Sequence, residues 1–141
     1  MHTAVASCAM LPLESGSVDI AVSVFAPVKD LELKRILKPE GRVIMVLPGK
    51  DHLLQLKKAV YDTAYQNPDT LPALKGFTIC NTQQICYDMQ LSCSDDINNL
   101  FMMTPYYYKS SYSDQQKLKR LNSLNVTAQF KIVCLQHERN V

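Results

Sequence analysis

Residues Val18 to Phe25, reading Val-Asp-Ile-Ala-Val-Ser-Val-Phe, constrain the fold more than any other stretch of this chain. They are β-branched and apolar at odd and even positions alike, as expected of a strand covered by helices on each side of a parallel sheet. Pro27 ends the strand. Lys29 to Lys38 then sets Leu33, Ile36 and Leu37 at helical spacing with charges between them, and Lys38-Pro39-Glu40-Gly41 supplies a stop and a turn. Arg42 to Leu47 is a second strand of the buried kind, closed by Pro48-Gly49. The resulting order of strand, helix and strand points to an α/β fold.

The alternation continues. Asp51 can cap a helix running to about Tyr65, with Leu53, Leu56 and Val60 as its apolar stripe and Lys57 and Lys58 lying off it. Asn67-Pro68-Asp69 and Leu71-Pro72 mark a loop, and Phe77 to Leu91 reads as extended, with Asn81 to Gln84 a candidate interruption. Ser94 is a candidate cap for a short helix through Ile97, Leu100 and Phe101 that Pro105 terminates. An amphipathic helix around Asp114 to Leu124 precedes Val126 to Gln136, where Ala128, Phe130, Ile132 and Cys134 alternate with Thr127, Gln129 and Lys131. A strand with one polar face suits the edge region of a mixed sheet, inserted there antiparallel.

Composition excludes several classes. At 141 residues, 47% hydrophobic and 20% charged, the chain suits one globular domain and leaves no room for a second full one. Asp19, Lys29 and Arg42 break the apolar runs short of a membrane span. Met1 to Met10 lack the basic start and long apolar centre of a signal peptide, so the chain reads as cytoplasmic. Cys8, Cys80, Cys86, Cys93 and Cys134 form no Cys-x-x-Cys pair, which favours reduced thiols over a metal site. A net charge of +2 neither announces nor excludes a nucleic-acid partner.

Leu37-Lys38-Pro39-Glu40-Gly41-Arg42-Val43 resembles the Leu-Lys-Pro-Gly-Gly-x-Leu turn before the fifth strand of many class I methyltransferases, and Val5 to Leu13 resembles the segment after their third strand. Phe25-Ala26-Pro27, Pro48-Gly49-Lys50-Asp51-His52-Leu53 with Leu56-Lys57, Gly76-Phe77-Thr78, Cys86-Tyr87-Asp88-Met89 and Met103-Thr104-Pro105 are together similar to the large-subunit (23S) ribosomal RNA guanine-N1 methyltransferases. The resemblance implies a truncated doubly wound, Rossmann-like class I methyltransferase sheet, mostly parallel with one antiparallel strand near the C-terminus. It reads residues 1–141 as the C-terminal portion of such a domain, without the family's zinc module and Gly-rich cofactor loop. No Gly-x-Gly occurs, and Gly16, Gly41, Gly49 and Gly76 are the only glycines.

The same resemblance assigns S-adenosyl-L-methionine as cofactor, bound weakly or not at all by this piece alone, and ribosomal RNA as partner. His52, beyond the carboxyl end of a buried-type strand, would contact the cofactor, while Ala6, Ser7, Leu11 and Pro12 would line its adenine side. Phe25, Ala26 and Pro27 stand where related enzymes meet the target base. Tyr106, Tyr107 and Tyr108, followed by Lys109, form an aromatic and basic cluster able to hold an unpaired guanine, or else rings that cover the core. Lys117, Lys119 and Arg120 could meet phosphates, though a solvated face is the plainer reading. No general base suggests itself, and Asp19 reads as a structural acid.

In the parent fold the strands are ordered three, two, one, four, five, seven, six, so a chain starting at strand three leaves strand four with an uncovered edge. That edge would dock Thr3 to Ser7 or pair two chains as a homodimer through Val18 to Phe25. The resemblance implies an rRNA-methylating enzyme fragment, inactive on its own, and two alternatives stand beside it: a non-catalytic RNA- or protein-binding module of methyltransferase ancestry, and a fragment of a small-molecule methyltransferase.

Overall fold

The computed structural model describes residues His2 to Glu138. Its elements are β1 (Val18–Val24), α1 (Asp30–Ile36), β2 (Leu37–Pro48), α2 (Leu54–Val60), β3 (Phe77–Leu91), α3 (Ser94–Met102), α4 (Tyr106–Lys109), α5 (Tyr112–Leu118) and β4 (Leu124–His137). The strands form one sheet in the order β1-β2-β4-β3, which reproduces the expected four, five, seven, six of a doubly wound methyltransferase half. β1 and β2 are parallel, with Ile20 opposite Arg42 and Val24 opposite Val46. β3 and β4 run antiparallel: Glu138 N–H donates to the Gly76 carbonyl, while Cys80 Sγ donates to the Cys134 carbonyl farther along. The sheet is therefore mixed, and the α/β expectation holds.

The chain groups into two compact units, one of Met1–Leu47, Thr70–Gln84 and Lys131–Val141, the other of Pro48–Asp69 and Ile85–Phe130. Each has its own apolar cluster. In the first, Leu33 and Ile36 of α1 pack with Val43 and Met45 of β2, Phe77 of β3, and Val133 and Leu135 of β4. In the second, Leu53, Leu56 and Val60 pack with Ile97, Phe101, Leu118 and Val126. The three-to-four spacing of these residues in α1 and α2 is what carries them to one face of each helix.

Several local expectations are corrected. β1 is not covered on both faces: Ile20, Val22 and Val24, which share one face of the strand, stay more than half exposed. Thr3 to Ala6 is exposed coil and Ser7 bridges to Met10, so this segment does not dock beside it. Lys38 to Gly41 does not leave the sheet as a turn. It is absorbed into β2 as an irregularity, since Val18 faces Leu37 and Ile20 already faces Arg42. Gly41 permits this crowding, because a Cβ there would lie 2.9 Å from the Lys38 carbonyl oxygen.

Asp51 caps no helix. The residue before α2 is Leu53 in the left-handed region, and α2 ends at Val60 rather than near Tyr65. Cys93, not Ser94, caps α3, its sulfur accepting from the Asp96 amide. Ser111 caps α5, which ends at Leu118 because Leu124 already belongs to β4. β3 runs unbroken through Asn81 to Gln84. Along β4 the buried positions are Val126 and Ala128, then Val133 and Leu135. The buried set changes parity because different stretches of the strand serve the two apolar clusters, and this leaves Phe130, Ile132 and Cys134 only half-buried. No helix among the described residues is long and apolar enough to cross a membrane.

Candidate functional site

In the first unit, β1 along its length, the turn after it, α1 and the Cys8 to Leu13 loop line an open cavity of about 360 Å³. Leu11, Ala26 and Pro27, three of the residues singled out from sequence, line it with Ile20, Val22 and Leu33. Ala6 and Ser7 lie outside it and are exposed, and Pro12 is exposed beside it. Phe25 turns the chain at the strand's exit with a φ of 51°, in the region that disfavours side chains. Its amide donates to the Val46 carbonyl at 3.1 Å, so β2 holds the turn in place. Strain of this kind, costing about 1–3 kcal/mol, collects at ligand-binding positions.

α1 pins the loop. The Leu11 amide donates to Glu32 Oε1 at 2.6 Å, and the Arg35 guanidinium donates to the carbonyls of Leu11 and Leu13 at 3.0 and 2.7 Å. Glu32 and Arg35 also bind each other, with Nη2 2.7 Å from Oε1 and Nε 3.0 Å from Oε2. This clamp escaped the sequence reading, although an acid and a base three residues apart on one helix were its available sign. The Arg35 hydrogen bonds and then the Leu11 amide hold the Glu32 carboxyl down from the ordinary 4.5 to about 2. A depressed carboxylate pKa means that the contribution is complete above about pH 4.5 and is lost as pH falls through 2. A carbon-detected NMR titration should find Glu32 ionising near 2 while the Leu11 and Leu13 signals move with it. In Arg35→Ala the carboxyl should return toward the usual range, and an unchanged titration there would refute the clamp.

A purine ring suits the apolar walls of this cavity. The acid among its lining residues, Glu32, is already engaged by Arg35 and Leu11, so the cavity offers ring burial without a spare carboxylate for ribose hydroxyls.

In the second unit, residues 49–52 are latched to Gln129 of β4. The Gly49 amide donates to the Gln129 carbonyl, the Asp51 amide donates to Gln129 Oε1, both at 2.8 Å, and the Gln129 amide donates to His52 Nδ1 at 3.2 Å. The last bond places the proton of a neutral imidazole on Nε2. The His52 ring lies 4.8 Å from that of Phe130, and burial lowers its pKa from 6.5, assisted by the nearby charge of Lys57. His52 is therefore a neutral, oriented group at physiological pH. Leu53, with a φ of 53°, donates its amide to the Thr127 carbonyl at 2.9 Å. Phe25 and Leu53 are the non-glycine residues at positive φ among those described. Each follows the carboxyl end of one of the two parallel strands.

Lys57, expected off the apolar stripe, is 1% exposed. Its ammonium donates to Asn67 Oδ1 at 2.7 Å and to the Tyr65 carbonyl at 3.2 Å, and it lies 4.4 and 5.2 Å from the centres of the Tyr65 and Tyr106 rings. Burial lowers its pKa. The tyrosine run divides in consequence: Tyr106 is half-buried, its phenol pushed by burial up to about 12, and Tyr107 packs edge-on against Phe101. Tyr108 is 84% exposed. Lys117 is committed to Asp62 and Asp114, whereas Lys119 and Arg120 are exposed.

Comparison with known proteins adds to this geometry. No protein-family model matches the chain. It is 27% identical over 135 residues, 92% of its length, to a putative 23S rRNA (guanine-N1)-methyltransferase of Bacillus subtilis. Over 50 residues it is 44% identical to the 23S rRNA (guanine(748)-N1)-methyltransferase of Streptomyces fradiae, a stretch covering 36% of this chain and 18% of that protein. The chain spans about half, 48%, of the Bacillus subtilis relative. Among solved structures, a putative methyltransferase of Bacillus halodurans superposes with a TM-score of 0.52 at 11% identity, covering 95% of this chain and 70% of that one. That likeness bears on the fold alone, and the fold agrees.

Proposed function

We propose, from this chain's kinship with the 23S rRNA guanine-N1 methyltransferases of class I, that it contributes to S-adenosylmethionine-dependent methylation of guanine N1 in large-subunit ribosomal RNA. The observation that carries the reading is the parallel β1 and β2 pair, with a strained Phe25 and the Ala26-Pro27 wall of the cavity at the exit of β1. Ligands of doubly wound sheets sit beyond the carboxyl ends of such strands. Leu11, Ala26 and Pro27 would hold the adenine ring by burial, and by the resemblance His52 would contact the cofactor. When bound, the cofactor's sulfonium supplies an already reactive methyl group, so the protein's part is to align donor and acceptor and exclude water. A target guanine must leave its stack to expose N1, and Tyr108, the exposed member of the tyrosine run, whose ring meets that of Tyr107 edge-on, would offer its outer side for stacking. Action on ribosomal RNA would place the protein in the cytoplasm.

The test is binding. Calorimetry with S-adenosylhomocysteine should detect weak binding, with a dissociation constant no tighter than micromolar, and a large-subunit rRNA fragment should bind in a salt-dependent way. Tyr108→Ala should weaken the RNA complex roughly five- to hundredfold, the range expected for one stacked base. RNA binding without any cofactor binding would instead favour a non-catalytic RNA-binding module.

A further inference from the structure

The five cysteines are free thiols, and two of them meet across strands of the first unit. Cys80 Sγ donates to the Cys134 carbonyl at 3.3 Å, in step with the Glu138 amide that donates to the Gly76 carbonyl at 2.9 Å. From Gly76 to Cys80 the chain advances while its partners step back from Glu138 to Cys134, so the two cysteines face each other on antiparallel strands. Facing residues of such strands have Cβ atoms about 4.5–5.5 Å apart. A disulfide spans about 3.5–4.5 Å between Cβ atoms, so a small adjustment of the two strands suffices. Burial and then the adjacent Cys80 thiol raise the pKa of Cys134, while the charge of Arg42 on β2 acts against them. Cys80 is exposed and Cys134 half-covered, which gives the pair an outer and an inner member. Cys86 lies six residues farther along β3, at the strand rise about 20 Å away, and is out of reach of Cys80.

We propose that Cys80 and Cys134 form a reversible cross-strand disulfide when the protein meets a peroxide. The Cys80 thiolate attacks one peroxide oxygen, the O–O bond breaks, and the departing hydroxide takes up a proton, leaving a sulfenic acid on Cys80 and, from hydrogen peroxide, one water. The Cys134 sulfur then attacks the Cys80 sulfur as its own proton leaves. The S–O bond breaks and a second water departs. Two thiols and one peroxide give one disulfide and two waters; the sulfurs surrender two electrons and the peroxide accepts them. Arg42 favours the transient negative charge on the inner sulfur. A dithiol reverses the reaction by exchange, and the exposure of Cys80 keeps the bond within its reach. The bridge would tie β3, exposed from Thr78 to Asp88, to β4.

The full chain, treated with one equivalent of hydrogen peroxide and then with a thiol-blocking reagent, should fall from five reactive thiols to three. Proteolysis should release one cross-linked pair of peptides, containing Cys80 and Cys134, that dithiothreitol separates. In Cys134→Ser the sulfenic acid on Cys80 should persist and be trapped by dimedone, and Cys80→Ser should retain all four of its remaining thiols. Loss of thiols through any other pair, or a sulfinic acid on Cys80 with Cys134 still free, would overturn the proposal. So would five intact thiols after the treatment.

Discussion

Truncating Leu56 to alanine is expected to destabilise the protein by about 2–5 kcal/mol, the range for removing a large aliphatic side chain from a packed core. Leu56 is 0% exposed on α2 and packs in the cluster of Ile97, Phe101, Leu118 and Val126. α2 and α5, and α3 with α4 and α5, meet in this same unit, so little can collapse into the space left behind. Because domains of this size are stable by only about 5–15 kcal/mol, the loss should be plain in urea denaturation as a lower midpoint. Leu56→Met, which nearly conserves volume, should cost less than about 1.5 kcal/mol. Equal effects from the two substitutions would mean that the cluster is loosely packed and that its assignment as a core is wrong.

Gly49→Ala is the second large effect. A Cβ at residue 49 would lie 2.6 Å from Cγ and Oε1 of Gln129, closer than real Cβ contacts allow, so the Gln129 side chain must leave. Its departure strands the Asp51 amide, which now donates to Oε1. Overpacking and an unsatisfied amide are each worth about 1–3 kcal/mol. Amide hydrogen exchange at Asp51 should quicken, while His52 Nδ1 keeps the bond from the Gln129 backbone N–H. Adding Gln129→Ala removes the clash but not the orphaned amide, so the double variant should be less destabilised than the sum of the singles. Strict additivity would show that residues 49 and 129 do not compete for the same space.

How far the sequence could be read differs from element to element. Val18 to Val24 and Arg42 to Leu47 were legible as strands because β-branched runs bounded by proline leave few other conformations. The spacing of Leu33 with Ile36, and of Leu56 with Val60, disclosed the apolar faces of two helices. The caps were misplaced by a residue or more, since Ser94 and Asp51 have the right chemistry but Cys93 and Leu53 occupy the geometric position. Lys57 was misjudged because a charge reads as solvated, whereas its long stem allows the ammonium to end among Tyr65, Tyr106 and Asn67.

The candidate site shows the same division. Local pattern along the chain determined by itself that parallel-type strands alternate with helices, and the order and spacing of short motifs disclosed a resemblance to methyltransferases. Only the tertiary structure decided that Glu32 and Arg35 clamp the Leu11 loop, that Gln129 orients His52 across 77 residues of chain, and that Tyr108 alone of its run is exposed. The physical reason is separation. Periodicity and propensity act over a few neighbouring residues, whereas a hydrogen bond between distant segments exists only after packing has brought both ends together.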